Sequence, residues 1–295
     1  MSAIMNRMKQ KIIISIFIFI TILFFGATAL SAQTVSLSFF PTTILQGDPV
    51  LVQIDGVTNI SLIKQLTFNG KKVGIFMYQN KPSALLGIDL NEKAGTYELQ
   101  ALFTDGSILK KSISVGLRDK TEAPLGIPEK LGGNTKASQD KLVTSLNAEK
   151  KILSNIKTNS KALWTDKFTP PLKQIFITDP YGNSRKTGVY SIPHKGVDYR
   201  AQIGTKVMAV NRGVVRITQT FRDDGKTVFI DHGLGLMSAY LHLSKINVKV
   251  GDIVERGQVI GLSGDTGYTQ GAHLHLSIRI NDIGIDPVKF FDLFK

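Results

Sequence analysis

The residues able to do chemistry are unevenly placed. All five histidines, His194, His232, His242, His273 and His275, fall within the last part of the 295-residue chain, and the first 193 residues contain none. His194-Lys195-Gly196-Val197-Asp198 sets an imidazole and a carboxylate four residues apart. On an ideal strand that separation is about 13 Å, too long for one small cation unless the backbone bends, and Gly196 could supply the bend. His273-Leu274-His275 is more telling. Two residues apart on a strand, both imidazoles point to one face with Cα atoms about 7 Å apart, so one can bind directly while the other stands beside it. Leu241-His242-Leu243 offers a further imidazole on another strand. There are no cysteines, so thiolate metal sites, thiol nucleophiles and disulfide scaffolds are excluded. Three histidines and one aspartate together suggest a nitrogen/oxygen zinc site with an open position. The glutamate of an H-E-x-x-H site is absent. Glu255, the only glutamate after residue 165, lies in a turn, so proton handling falls to a histidine.

The elements that must position these residues read as strands. From Phe168 onward, Lys206 to Val210, Gly213 to Thr218, Thr227 to Ile230, Leu236 to Leu241, Gln258 to Gly261 and His275 to Ile280 are strand candidates punctuated by glycine, giving an all-β domain over residues 166–295 with little room for helices. Residues 33–117 also read as short strands. Asn69-Gly70, between Leu66–Phe68 and Val73–Met77, and Asp105-Gly106, between Thr96–Phe103 and Ile108–Val115, are hairpin signals. Strands at this spacing suggest a small antiparallel β-sandwich, immunoglobulin-like in outline, with no clustered chemistry of its own. Residues 118–165 form a linker. Within it, Ser138 to Leu163 has apolar residues near helical spacing and is expected to form one amphipathic helix packed on a neighbour. The fold class is therefore mainly β, with a helical linker. Residues 1–32 combine Arg7, Lys9 and Lys11, an apolar run from Ile12 to Phe25, and a small-residue exit. That is the pattern of a signal peptide, with an uncleaved membrane anchor as the alternative, and either places the rest outside the cytoplasm.

His194-x-x-x-Asp198, Tyr240-Leu241-His242-Leu243 and Gly271-Ala272-His273-Leu274-His275, in this order, resemble the motifs of the lysostaphin/LytM-type zinc metallopeptidases, peptidoglycan DD-endopeptidase-like enzymes of duplicated hybrid motif fold. Gly204-Thr205-Lys206-Val207, the Val250 to Gly261 run, Gly264-x-Thr266-Gly267 and Asp286-Pro287 agree with it. The resemblance covers roughly Thr178 to Val288. It implies a small antiparallel β domain whose groove holds one zinc ion bound by His194, Asp198 and His275, with His242 and His273 as catalytic residues flanking the reacting water. His232 falls at a supporting position. Tyr181 and Tyr190 are candidates for a substrate or oxyanion contact.

The function this resemblance implies is that of an exported zinc-dependent endopeptidase acting on peptidoglycan. A LytM-type regulator that has no activity of its own, and a secreted protease acting on proteins, remain as alternatives, because the motifs specify metal chemistry and not substrate. Residues 33–165 could target the enzyme, bind the wall or cover the groove. The formal charge of +13 is spread along the chain, with no recognition motif for nucleic acid. It fits a protein near an anionic envelope, with peptidoglycan as its partner and with membrane contact only through an uncleaved N-terminal segment.

Overall fold

Two β-sheets at the N-terminal side enclose a core built from alternating residues. In the computed structural model, which describes residues 34–165 and 167–295, Ser36–Phe40, Pro49–Asp55, Lys81–Gly87 and Ile75–Tyr78 pair in that spatial order. The second sheet runs Ile44–Leu45, Ile108–Gly116, Gly95–Phe103, Ile63–Phe68, Lys71–Lys72. Leu37, Val52, Ile54 and Leu86 of the first sheet meet Leu66, Leu99, Ile113 and Val115 of the second in one buried cluster. Residues 1–32, where the signal-peptide expectation falls, lie outside the described residues.

The Asp105-Gly106 hairpin forms with Leu102 opposite Ile108. At Asn69-Gly70 both residues take positive φ (48° and 75°), the twist of a tight hairpin turn, but the returning strand is only Lys71–Lys72. Ile75–Tyr78 does not complete that hairpin. It crosses to the other sheet and pairs with Lys81–Gly87.

Thr34–Lys295 form one compact unit, and the first sheet shows why. Its inner residues Val50, Val52 and Ile54 face the sandwich core, while Leu51, Phe76, Tyr78 and Leu85 on its other face join the core of the C-terminal sheet. There they meet Phe168, Leu172, Ile280, Ile285, Phe290 and Phe294. Tyr78 meets Phe294 edge-on, with ring centroids 5.5 Å apart. A polar clip closes the seam: Arg118 donates to Asp48 Oδ1 at 2.5 Å and to Asp286 Oδ2 at 3.1 Å, and Lys289 donates to Asp48 Oδ2 at 2.9 Å. Asp48 is fully buried, so these partners are what make its charge tolerable there.

The C-terminal sheet carries the site. Its strands are β1 (Ile177–Asp179), β2 (Val197–Arg200), β3 (Gly213–Thr220), β4 (Lys226–Gly233), β5 (Leu236–Leu243), β6 (Ile253–Val254), β7 (His273–Ile280) and β8 (Ile283–Ile285). The spatial order is β1-β2-β7-β5-β4-β3-β6, with β8 on β7, and every pairing is antiparallel. A second, three-stranded sheet of Lys206–Met208, Val259–Leu262 and Lys245–Ile246 lies beside it.

Two helices depart from the expectation drawn from sequence. α1 (Lys136–Ser154) starts earlier and stops well before Leu163. Thr135 caps its first turn, its hydroxyl accepting from Ser138 N at 3.2 Å. After Asn155 the chain leaves the helix to join the sheet's end, with Leu163 N bonded to His232 O and Leu234 N to Asn159 O. These bonds to the sheet replace the further helical turns that the spacing of Ile156 and Leu163 implied. α2 (Pro287–Asp292) breaks the all-β expectation for residues 166–295. Asp286 caps it through Val288 N at 3.0 Å and Pro287 occupies its first position, where a missing N–H costs nothing.

Candidate metal centre and its groove

Asp198 on β2 sits directly opposite His275 on the neighbouring β7, and Arg200 sits opposite His273. The pairing of two adjacent strands therefore brings the second and third candidate ligands together. His194 arrives from the loop between a short hairpin (Ser184–Thr187 with Tyr190–Pro193) and β2. Gly196 is needed here for close approach: a Cβ on it would lie 2.3 Å from His275 Nε2 and 2.7 Å from Leu276 O. The chain does bend at Gly196, as the spacing implied, and the glycine also leaves space for the His275 ring.

The three ligand atoms converge. His194 Nε2 lies 3.1 Å from both Asp198 Oδ1 and His275 Nδ1, and His275 Nδ1 lies 2.7 Å from Asp198 Oδ1. His194, Asp198 and His275 form a group whose ligand atoms all lie within 4.8 Å of one another. Two nitrogens and one carboxylate oxygen are the donor set that suits zinc with a position left open. Backbone carbonyls fix the ring orientations. His194 Nδ1 donates to Pro180 O at 3.0 Å, His242 Nδ1 to Thr266 O at 3.0 Å and His273 Nδ1 to Gly271 O at 2.9 Å. A carbonyl only accepts, so each of these rings carries a proton on Nδ1, and Nε2 is the nitrogen left for other partners.

His242 reaches the site through a backbone irregularity. Strict alternation along β5 would put His242 on the core face with Tyr240, and Leu243 on the site face with Leu241. Instead the register between β4 and β5 shifts, three residues of β5 spanning two of β4 between Tyr240 and Leu243. His242 itself takes φ +62°, and its N–H bonds Asp224 O at 3.0 Å. The bulge re-aims the imidazole, placing its ring centroid 4.8 Å from that of His273 and 6.1 Å from that of His275.

Burial governs the electrostatics. It pushes His275 down to about 4 and, together with the neighbouring His273 and His275, holds His242 well below the usual histidine range, so both are neutral near pH 7. Burial also opposes the Asp198 charge, but hydrogen bonds from His194 and His275 win and keep the carboxyl far below its ordinary value.

Sequence reasoning missed one participant. Arg185 donates to Asp198 Oδ2 at 2.6 Å and forks onto Asp179 Oδ2 through Nε at 3.0 Å and Nη2 at 2.5 Å. Asn183 holds the other Asp179 oxygen at 2.9 Å. Arg185 thereby engages one Asp198 oxygen and leaves Oδ1 toward the imidazoles. Its signal was its place at the end of Tyr181-Gly182-Asn183-Ser184-Arg185, close in sequence to the first ligand.

The two tyrosine candidates separate. Tyr181 does not face the groove. It is 4% exposed, donates to Gly284 O at 2.7 Å and packs on Gly47, where a Cβ would lie 2.3 Å from its ring. Burial pushes its hydroxyl above the ordinary value, and the expectation of a substrate contact is corrected accordingly. Tyr190 does line the groove, but its hydroxyl donates to Asp140 of α1 at 2.6 Å. His232 lies away from the metal group, fully buried between Arg212 O and Ser238 Oγ at 2.8 Å each, and burial lowers it to about 4.

α1 forms the groove's roof. Leu153 joins Phe229, Met237, Ala239 and Leu241 on the site face of the sheet. Glu149 accepts from Asp223 N at 3.0 Å and Asp224 N at 3.2 Å, and Ser145 bonds the Asp223 carboxylate. A cavity of about 710 Å³ runs beneath, lined by α1 and by His194, His242 and His275.

Residues 192–287 match Peptidase family M23. The peptidoglycan DD-endopeptidase ShyA of Vibrio cholerae is 45% identical over 97 residues, 33% of this chain and 23% of ShyA. Lysostaphin of Staphylococcus simulans is 38% identical over 109 residues, 35% of this chain and 22% of lysostaphin. The chain thus spans less than a quarter of the length of these two curated relatives. A solved structure from Pseudomonas aeruginosa, assigned to peptidase M23, aligns over 84% of this chain and 94% of its own with a TM-score of 0.63 and 27% identity. The candidate ligand triad and the matched motifs identify residues 192–287 as a peptidase M23 domain of lysostaphin/LytM type.

Proposed function

We propose that the protein is an exported zinc-dependent endopeptidase that hydrolyses peptide bonds in peptidoglycan stem peptides or cross-links. The observation that carries this reading is the convergence of His194, Asp198 and His275 with two further imidazoles, His242 and His273, each anchored to a backbone carbonyl through Nδ1. A LytM-type regulator that has no activity of its own would need none of this. Zinc in this triad supplies a Lewis acid that polarises a carbonyl and lowers the pKa of water. His242 is neutral near pH 7 because it is buried, and neutral imidazole is the form that accepts a proton at Nε2. Whichever of His242 and His273 takes the proton of the attacking water becomes a donor, able to steady the developing oxyanion and then to protonate the leaving amine. The name of ShyA, a peptidoglycan DD-endopeptidase, supports a cell-wall substrate, and the sequence pattern of residues 1–32 supports export. The test is release of muropeptides from purified sacculi by the zinc-loaded protein, measured by mass spectrometry. Full activity after chelation, or in His273→Ala, would refute the mechanism, and a zinc-to-protein ratio near zero would refute the metal assignment.

A further inference from the structure

Just before α1, a short extended segment is bound almost wholly through its main chain. Glu122–Pro124 adds as a parallel strand to Ser184–Lys186, with Ser184 N bonded to Thr121 O at 2.8 Å and Leu125 N to Lys186 O at 2.7 Å. One residue on, the Gly126 carbonyl accepts from Tyr268 Oη at 2.5 Å and from Gln270 Nε2 at 3.2 Å. The segment is therefore tied to both walls of the groove. One wall is the hairpin that carries Arg185 and leads into His194, and the other is the loop that leads into His273. Leu125 lines the same cavity as His194, His242 and His275. The side chains of the segment do little. Glu122, Ala123 and Pro124 are all exposed, and the segment's one ion pair among the described residues, Lys186 to Glu122 at 3.6 Å, joins two half-exposed groups and is worth little.

A surface that grips backbone and ignores side chains is suited to any extended peptide. We infer that residues 121–126 occupy the path of the substrate's main chain. The Ser184 N–H, the Lys186 carbonyl, the Tyr268 hydroxyl and the Gln270 amide are then the groups that hold the substrate backbone, running parallel to Ser184–Thr187. This inference rests on the peptidase reading and deepens it, assigning substrate-positioning roles to Tyr268 and Gln270 and a direction to the bound peptide. The exposure of Glu122–Pro124 makes this strand easy to release.

The test uses chains beginning at residue 34, stripped of metal so that hydrolysis cannot intervene, with a purified peptide-cross-linked muropeptide as probe. In the unaltered sequence, saturating muropeptide should speed hydrogen exchange at the Leu125 amide, because that N–H loses the Lys186 carbonyl. Leu125→Pro removes the same donor and should tighten muropeptide binding. Adding Tyr268→Phe with Gln270→Ala to Leu125→Pro should weaken it again by roughly tenfold, about 1.4 kcal/mol. In the zinc-loaded protein the pair should raise KM far more than it lowers kcat. Unchanged exchange at Leu125, or unchanged affinity when Tyr268 and Gln270 are altered, overturns the inference. Binding that shows the expected pattern without cleavage of sacculi would leave this inference standing and sink the catalytic reading. Absence of any muropeptide binding would sink both.

Discussion

Replacing Arg185 with methionine tests how the carboxylate ligand is aimed. The guanidinium bonds Asp198 Oδ2 at 2.6 Å, on a side chain only 9% exposed, and is itself held by its fork onto Asp179. Without it, a largely buried carboxylate oxygen loses a charge-assisted donor, a loss worth about 1–3 kcal/mol. Nothing then prevents Asp198 from turning its second oxygen inward, away from the geometry that places Oδ1 2.7 Å from His275 Nδ1. Partners that orient metal ligands typically contribute roughly 10- to 100-fold in metal affinity, which agrees with that energy. Arg185→Met should therefore weaken zinc binding by about this factor, measured by competition with a chromophoric chelator. Arg185→Lys should fall between, since an ammonium restores charge but not the two-pronged geometry. Thermal melts of the metal-free variants report folding separately. Zinc affinity within about twofold of the unaltered chain, with the melt unchanged, would refute the reasoning and leave Arg185 as a tie for the Asp179 turn.

Three further outcomes are expected. His242→Ala and His273→Ala should each retain zinc yet lose roughly 10²- to 10⁴-fold in kcat on muropeptides, and loss of zinc in step with activity would contradict their placement beside the ligands. Burial beside Glu149 and Asp223 pushes the Asp224 carboxyl up to about 7. A carboxyl raised on folding holds its proton more tightly in the folded chain, so its stabilising contribution is complete below about pH 4 and is lost as pH rises through about 7. Asp224→Asn should accordingly flatten the fall in melting temperature between about pH 4 and 8 by several degrees, and an unchanged pH profile would count against a strained carboxylate under α1. Phe294→Ala, at the seam with Tyr78 and Phe168, should cost about 3–5 kcal/mol of stability, and a chain beginning near residue 166 should be less stable than one beginning at residue 34. Equal melting temperatures would show that the N-terminal sandwich is only attached.

How much of this was legible in the sequence differs residue by residue, for physical reasons. The two-residue spacing of His273 and His275 is a property of any strand, so it could be read directly, and the glycine turns marked most strands of the C-terminal sheet. Asp198 was harder, because its strand, Val197–Arg200, is only four residues long and is defined by its partner β7 and not by a pattern of its own. His242 faces the site because three residues of β5 oppose two of β4. A register shift between strands leaves no mark in hydrophobic alternation, and the motif containing His242 conceals that its backbone is left-handed. Tyr181 was misread for the opposite reason. An aromatic residue beside a glycine near the first ligand is equally suited to facing a groove or filling a seam, and what decides is Gly47, which lies more than a hundred residues away and leaves room for its ring. The same non-locality hid the role of the N-terminal sheet. Leu51 alternates with Val50 and Val52 as in any two-faced strand, and only the aromatic cluster of Phe168, Phe290 and Phe294 at the other end of the chain makes its second face interior. The sandwich therefore does not simply precede the site in sequence. It braces β7 and β8 from behind, while α1 and the segment before it cover the groove from the front.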